Sequence, residues 1–159
     1  MNFKILSFCF LVLFLNSCRK KDPEPEKTNY IEAKVNGAPW SPSTVKATLL
    51  IDSTYHFRII DFTATSAGKT ITIEAGDAST GEGIDTGTRT FVDGNAYFSY
   101  AASGTTFLTS DGTMNITGCD PAAHTVSGTF SFTATDNAGN TVTISGGNFV
   151  KVSYSVVMQ

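Results

Sequence analysis

From Tyr30 onward, hydrophobic and polar residues alternate in short runs separated by clusters of Gly, Asn, Asp and Ser. A period of two puts successive side chains on opposite faces of a strand, so each run reads as a half-buried β-strand. Tyr30 to Val35 is the first run, and it stops at Asn36-Gly37, the strongest short hairpin signal. Val45 to Ile51 follows, then a turn at Asp52-Ser53. The return strand, Tyr55 to Thr63, carries Tyr55, Phe57 and Ile59 on one face and His56 and Arg58 on the other. Gly68 precedes the alternation Thr70 to Glu74, and Gly76 to Thr88 reads as a loop rich in Gly and Asp. Phe91, Tyr97, Phe98 and Tyr100 mark the next strands, and Met114 and Ile116 share a face of a strand ending at Gly118-Cys119-Asp120-Pro121.

The longest alternation runs from Thr125 to Thr135. It predicts Val126, Gly128, Phe130, Phe132 and Ala134 inward and Thr129, Ser131, Thr133 and Thr135 outward. The turn Asp136 to Asn140 folds it onto Thr141 to Ser145, with Val142 and Ile144 inward. Gly146-Gly147 predicts a β-bulge, and Val150, Val152, Tyr154 and Val156 close the domain. No window carries a helical period. About nine strands at roughly ten-residue spacing predict an all-β fold, a single antiparallel β-sandwich or small barrel over residues 29–159.

Composition narrows this further. With 41% hydrophobic and only 16% charged residues, the chain is apolar enough to build a core. A net charge of -3, with no basic block in the body of the chain, removes the electrostatic footprint that nucleic-acid binding requires.

The first residues follow a different logic. Lys4 and the apolar run Ile5 to Leu15 form an export signal, too short to span a bilayer core of about 30 Å. The run ends in Leu15-Asn16-Ser17-Cys18, which resembles the lipobox of bacterial lipoproteins and makes Cys18 the acylated residue; the competing reading is an ordinary secretory signal followed by a chance Cys. The expected division is a signal peptide over 1–17, a lipidated Cys and charged tether over 18–28, and the β domain beyond. Two or three acyl chains anchor a protein almost irreversibly, so the expected partner is the membrane, reached through the lipid. Arg19 after the Cys, where enterobacterial inner-membrane lipoproteins carry Asp, favours the outer membrane, on its periplasmic face or at the cell surface. Cys9 leaves with the signal and Cys18 is acylated, so Cys119 is alone and no internal disulfide is expected.

Four segments carry a likeness: I-E-A-K-V-N-G-A-P-W (Ile31 to Trp40), G-T-M-N-I-T-G-C-D (Gly112 to Asp120), V-S-G-T-F-S-F-T-A (Val126 to Ala134) and V-T-I-S-G-G-N-F (Val142 to Phe149). They resemble an uncharacterised family of small Bacteroidota lipoproteins, a domain of unknown function. Its members begin with x-A-x-V-N-G-x-x-W and end with x-G-x-x-x-I-T-x-x-D, S-G-T-F-x-F and I-x-x-G-x-F. The likeness covers both ends of the domain and leaves residues 50 to 105 loosely matched. It implies fold and address and carries over no catalytic residue.

The standard catalytic motifs are absent: no G-x-S-x-G, H-E-x-x-H, phosphate-binding loop or EF-hand loop occurs. Cys119, Asp120 and His124 lie close in sequence, but Cys-x4-His is not a zinc spacing, and a turn before Pro121 explains them. Asp77, Glu82 and Asp85 offer hard oxygen ligands for calcium, yet their irregular spacing reads as solvated loop charges. No catalytic or metal role is therefore assigned to His56, Cys119 or His124, and no cofactor is expected. Trp40, Tyr55, Tyr97 and Tyr100 remain as candidates for a ligand surface, with burial in the core as the competing reading. The expected activity is a non-enzymatic binding or envelope-interaction module with a glycan or envelope-protein partner. Its rivals are a β-sandwich hydrolase acting on envelope or glycan substrates and a subunit whose free strand edges pair with a partner.

Overall fold

The computed structural model describes residues 27–78 and 81–159. The predicted signal peptide, Cys18 and the tether as far as residue 26 lie outside the described residues. The described chain is all-β, with eleven strands: β1 (Tyr30–Val35), β2 (Ala38–Trp40), β3 (Thr44–Asp52), β4 (Phe57–Ser66), β5 (Lys69–Asp77), β6 (Gly87–Thr90), β7 (Ala96–Ala102), β8 (Thr105–Asp120), β9 (Thr125–Thr135), β10 (Thr141–Ser153) and β11 (Ser155–Met158).

They form one sheet in the order β11-β3-β4-β5-β7-β8-β9-β10-β1-β2, strongly curled into a half-barrel. The two-layer arrangement expected of a sandwich is thus made by a single sheet bending over its own core. Long β8 serves two partners along one side, β7 through residues 105–108 and β6 through residues 113–116.

Two expectations are corrected. The sheet is mixed, because β11 runs parallel to β3 while every other pairing is antiparallel. In sequence β11 is the tail of the closing alternation. The N–H of Tyr154 leaves the ladder to bond the carbonyl of His124 at 2.9 Å, and the chain crosses there to the opposite edge. The second correction concerns the β3–β4 turn, which extends through His56. Asp52 Oδ1 accepts the N–H groups of Thr54 and Tyr55 at 2.8 and 2.9 Å, and His56 adopts φ 54°. Tyr55 therefore belongs to a turn and not to β4. Alternation resumes at Phe57, with Arg58, Ile60, Phe62 and Ala64 on the buried face.

The core follows the predicted pattern of β9, where Val126, Phe130, Phe132 and Ala134 are buried and Thr129 and Ser131 exposed. Its centre is aromatic: Phe98 stacks on Phe132 with ring centroids 5.1 Å apart, and Phe62 lies 5.0 Å from Phe149. Strong curling crowds these rings, and glycine makes the room. Gly112 pairs with Phe132 across β8 and β9, and a Cβ there would sit 2.8 Å from both Phe132 and Phe98. Gly128 faces Phe149 in the same way across β9 and β10. The predicted bulge at Gly146-Gly147 appears as a register shift between Ile144 and Gly147.

Hairpin turns at residues 36–37, 67–68, 103–104 and 136–140 gather on one rim, while the β3–β4 and β8–β9 turns and the Asp77–Gly87 connection form the other. The two edge strands are short, and β2 carries Pro39. Short edges, and in β2 a proline, are poor templates for strand addition.

Candidate functional site

The four aromatic candidates do not converge. Trp40 is 8% exposed and packs in the core. Tyr100, 5% exposed, lies against Phe107 with centroids 5.8 Å apart; burial raises its hydroxyl pKa. Tyr55 stands at the β3–β4 turn, 76% exposed. Tyr97 is 53% exposed and belongs to the outer face of the sheet.

Around Tyr97 the sheet opens. β7 and β8 pair only as far as Ser99 and Leu108. Beyond that point they separate, and β8 takes up β6 instead. The hydroxyl of Thr109 fills the split, accepting the N–H of Phe98 at 2.8 Å and donating to the Phe98 carbonyl. Over this split lies an outer-face groove of about 430 Å³, floored by Phe91, Tyr97 and Leu108 and rimmed by Thr72, Glu74 and Ser99. Leu108 is 63% exposed, and Phe91 meets Tyr97 edge to face at 6.1 Å. Among the described residues, the side chains of Thr72, Glu74, Tyr97 and Ser99 engage no hydrogen-bond or ion-pair partner. The floor is apolar and its polar rim is free to bind. A second cleft of about 320 Å³ adjoins it on the far side of Tyr97 and is lined by Phe57, Arg58, Ile59 and Asn95 together with Glu74 and Tyr97.

Asp61 faces Glu74 directly across β4 and β5. Burial pushes its carboxyl pKa up, offset in part by a hydrogen bond from Thr63. Asp61 is not among the residues lining either cleft.

Of the three loop acids, Glu82 and Asp85 are exposed as expected of solvated charges, and Asp77 departs from that expectation. Asp77 is largely buried, its Oδ2 2.7 Å from Arg89 Nη2 and accepting the N–H of Asp85 at 2.8 Å. Arg89, itself buried, also donates to the carbonyls of Gly76, Gly87 and Asp85. An isolated arginine in a short strand gave no sequence signal of this role; an acid and a base twelve residues apart become partners only once the loop closes.

At the β8–β9 turn, Cys119 Sγ lies 3.6 Å from the Tyr154 hydroxyl, and His124 stacks on the Tyr154 ring at 5.6 Å. Burial, with a contribution from Cys119, holds the Tyr154 hydroxyl well above its usual pKa. Asp120 accepts the N–H of Ala123 at 2.9 Å within its own turn. No three His, Cys, Asp or Glu side chains among the described residues come together to hold a metal ion.

The fold and its surface define a class: a curled, single-sheet β domain with an amphipathic groove on its outer face. The chain belongs to the family described as Domain of unknown function (DUF6252), which matches residues 27–153. No curated protein and no solved structure matches the chain.

Proposed function

We propose that this chain is an outer-membrane lipoprotein, exported by residues 1–17 and acylated at Cys18, whose β domain is a non-enzymatic module that binds glycan in the groove around Tyr97. The lipoprotein character rests on Leu15-Asn16-Ser17-Cys18 and on the resemblance of the domain ends to small Bacteroidota lipoproteins. The binding role rests on one observation, an exposed apolar floor bordered by unengaged hydroxyls and a carboxylate. A sugar presents C–H faces to apolar and aromatic rings and hydroxyls to polar side chains, and this groove offers both kinds of surface. A peptide recognised through its main chain would need free backbone groups. Here the backbone is occupied, by the β5–β7 ladder and by Thr109.

Glycoside hydrolysis is the second reading, because two carboxyl groups, Asp61 and Glu74, stand opposite each other beside the groove. Binding is preferred, since of the two only Glu74 lines the groove. Affinity electrophoresis of the full chain through gels containing neutral envelope and dietary polysaccharides tests the proposal. Retardation by at least one polysaccharide, lost in Tyr97→Ala, is expected. Equal retardation of Tyr97→Ala would place binding elsewhere.

A further inference from the structure

The two outer-face clefts are not independent. Tyr97 and Glu74 line both, so the space of about 320 Å³ on the Asn95 side and that of about 430 Å³ on the Leu108 side meet over the same two side chains. Each alone is at the small end of ligand sites. Together they form a trough crossing the strands from β4 over β5 and β7 to β8, a width of about 14 Å at the usual spacing between neighbouring strands. A single sugar would fill one cleft and leave the other open. A linear chain crossing Tyr97 would occupy both.

Charge selects within that class. Glu74, which lines both clefts, has no cationic partner among the described residues, and Arg58, the cation that lines the first cleft, is buried and already partnered, so the middle of the trough is acidic. An anionic sugar there would meet repulsion from Glu74, which the buried and already partnered Arg58 is poorly placed to offset. We infer that the ligand of this surface is an uncharged linear glycan of more than one sugar unit, lying across the strands with Tyr97 and Glu74 at the junction of two subsites. This rests on the glycan-binding reading above and adds chain length and charge to it.

The test is calorimetric titration of the full chain with length-graded series of neutral oligosaccharides, from glucans, xylans, mannans and chitin, each from the monosaccharide upward. Affinity is expected to rise about tenfold or more from the monosaccharide to the longer oligomers in at least one series. Asn95→Ala, in the first cleft, and Leu108→Ala, in the second, are both exposed positions and should each remove most of that rise. Monosaccharide and oligomer binding equally well would overturn the two-subsite inference while leaving the glycan-binding reading in place. Loss of the rise in only one of the two variants would likewise contradict it. No binding to any of these sugars would overturn both.

Discussion

Phe130 and Phe132 occupy adjacent positions of the same face of β9, each opposite a glycine, at Gly147 and Gly112 respectively. The arrangement explains how so curled a sheet accommodates a ring-filled interior: where β9 supplies a phenyl group, one of its two neighbouring strands supplies no side chain. Truncating either ring leaves a cavity that paired backbones cannot collapse. Phe130→Ala and Phe132→Ala should each cost about 3 to 5 kcal/mol, against under about 1 kcal/mol for Thr129→Ala and Ser131→Ala on the outer face. Denaturant melts compare the four, and equal losses at Ser131 and Phe132 would refute the assignment of faces. This strand was fully legible in the sequence because its outward positions are all Ser or Thr. Around Tyr97, alternation sets Tyr97 opposite Phe98 and Tyr100, but with aromatic residues on both faces it does not say which face is wet. Phe91 and Leu108 are not legible as partners of Tyr97, because their groove is created by β8 exchanging β7 for β6, which no local pattern encodes.

At the scale of elements, the connection from β5 to β6 shows where sequence reading fails and why. A loop rich in Gly and Asp predicts solvated charges, whereas Asp77 and Arg89 close it as an ion pair beneath the surface. The pair also fixes β6 beside β8, because Arg89 is paired with Met114 in the ladder while its side chain holds three carbonyls of the loop. Removing Arg89 takes from the largely buried Asp77 carboxylate the guanidinium 2.7 Å away that balances its charge. Arg89→Ala should therefore cost about 3 to 5 kcal/mol, whereas replacing both Asp77 and Arg89 by Leu should recover most of the loss. Thermal melts of the single and double variants decide this, and a double variant no better than the single would show that the hydrogen bonds to loop carbonyls, more than the charge pair, hold the loop. The parallel strand β11 was illegible for a related reason. Its residues continue the alternation of β10, and only the departure of Tyr154 from the ladder sends them to β3.

For the molecule as a whole, the chain enters β1 on the rim that carries the β8–β9 turn, with Asn29 bonded to Lys151 and Ser153. In the proposed lipoprotein, membrane attachment depends on the lipid and not on the folded core. Cys18→Ala should abolish membrane association and leave the melting temperature of the domain unchanged, since lipid alone supplies the anchor. Cell fractionation checks this, and a Cys18→Ala protein that still pellets with membranes would contradict the lipoprotein reading.

The central claim, that ligand binds on the outer face around Tyr97, has a rival on the same molecule. A cavity of about 460 Å³ opens at the rim that carries the 36–37 and 136–140 turns, bordered by Asn36, Lys69, Tyr100, Phe107 and Asp136. Backbone amide chemical-shift mapping during titration with a neutral oligosaccharide that binds the chain separates the two most directly. The account predicts shifts concentrated at Thr72 to Glu74, Phe91, Tyr97 to Ser99 and Leu108 to Thr109, with Asn36, Lys69 and Asp136 to Asn140 unmoved. Shifts confined to Asn36, Lys69 and the Asp136 turn would contradict it and move the binding site to the open rim of the half-barrel.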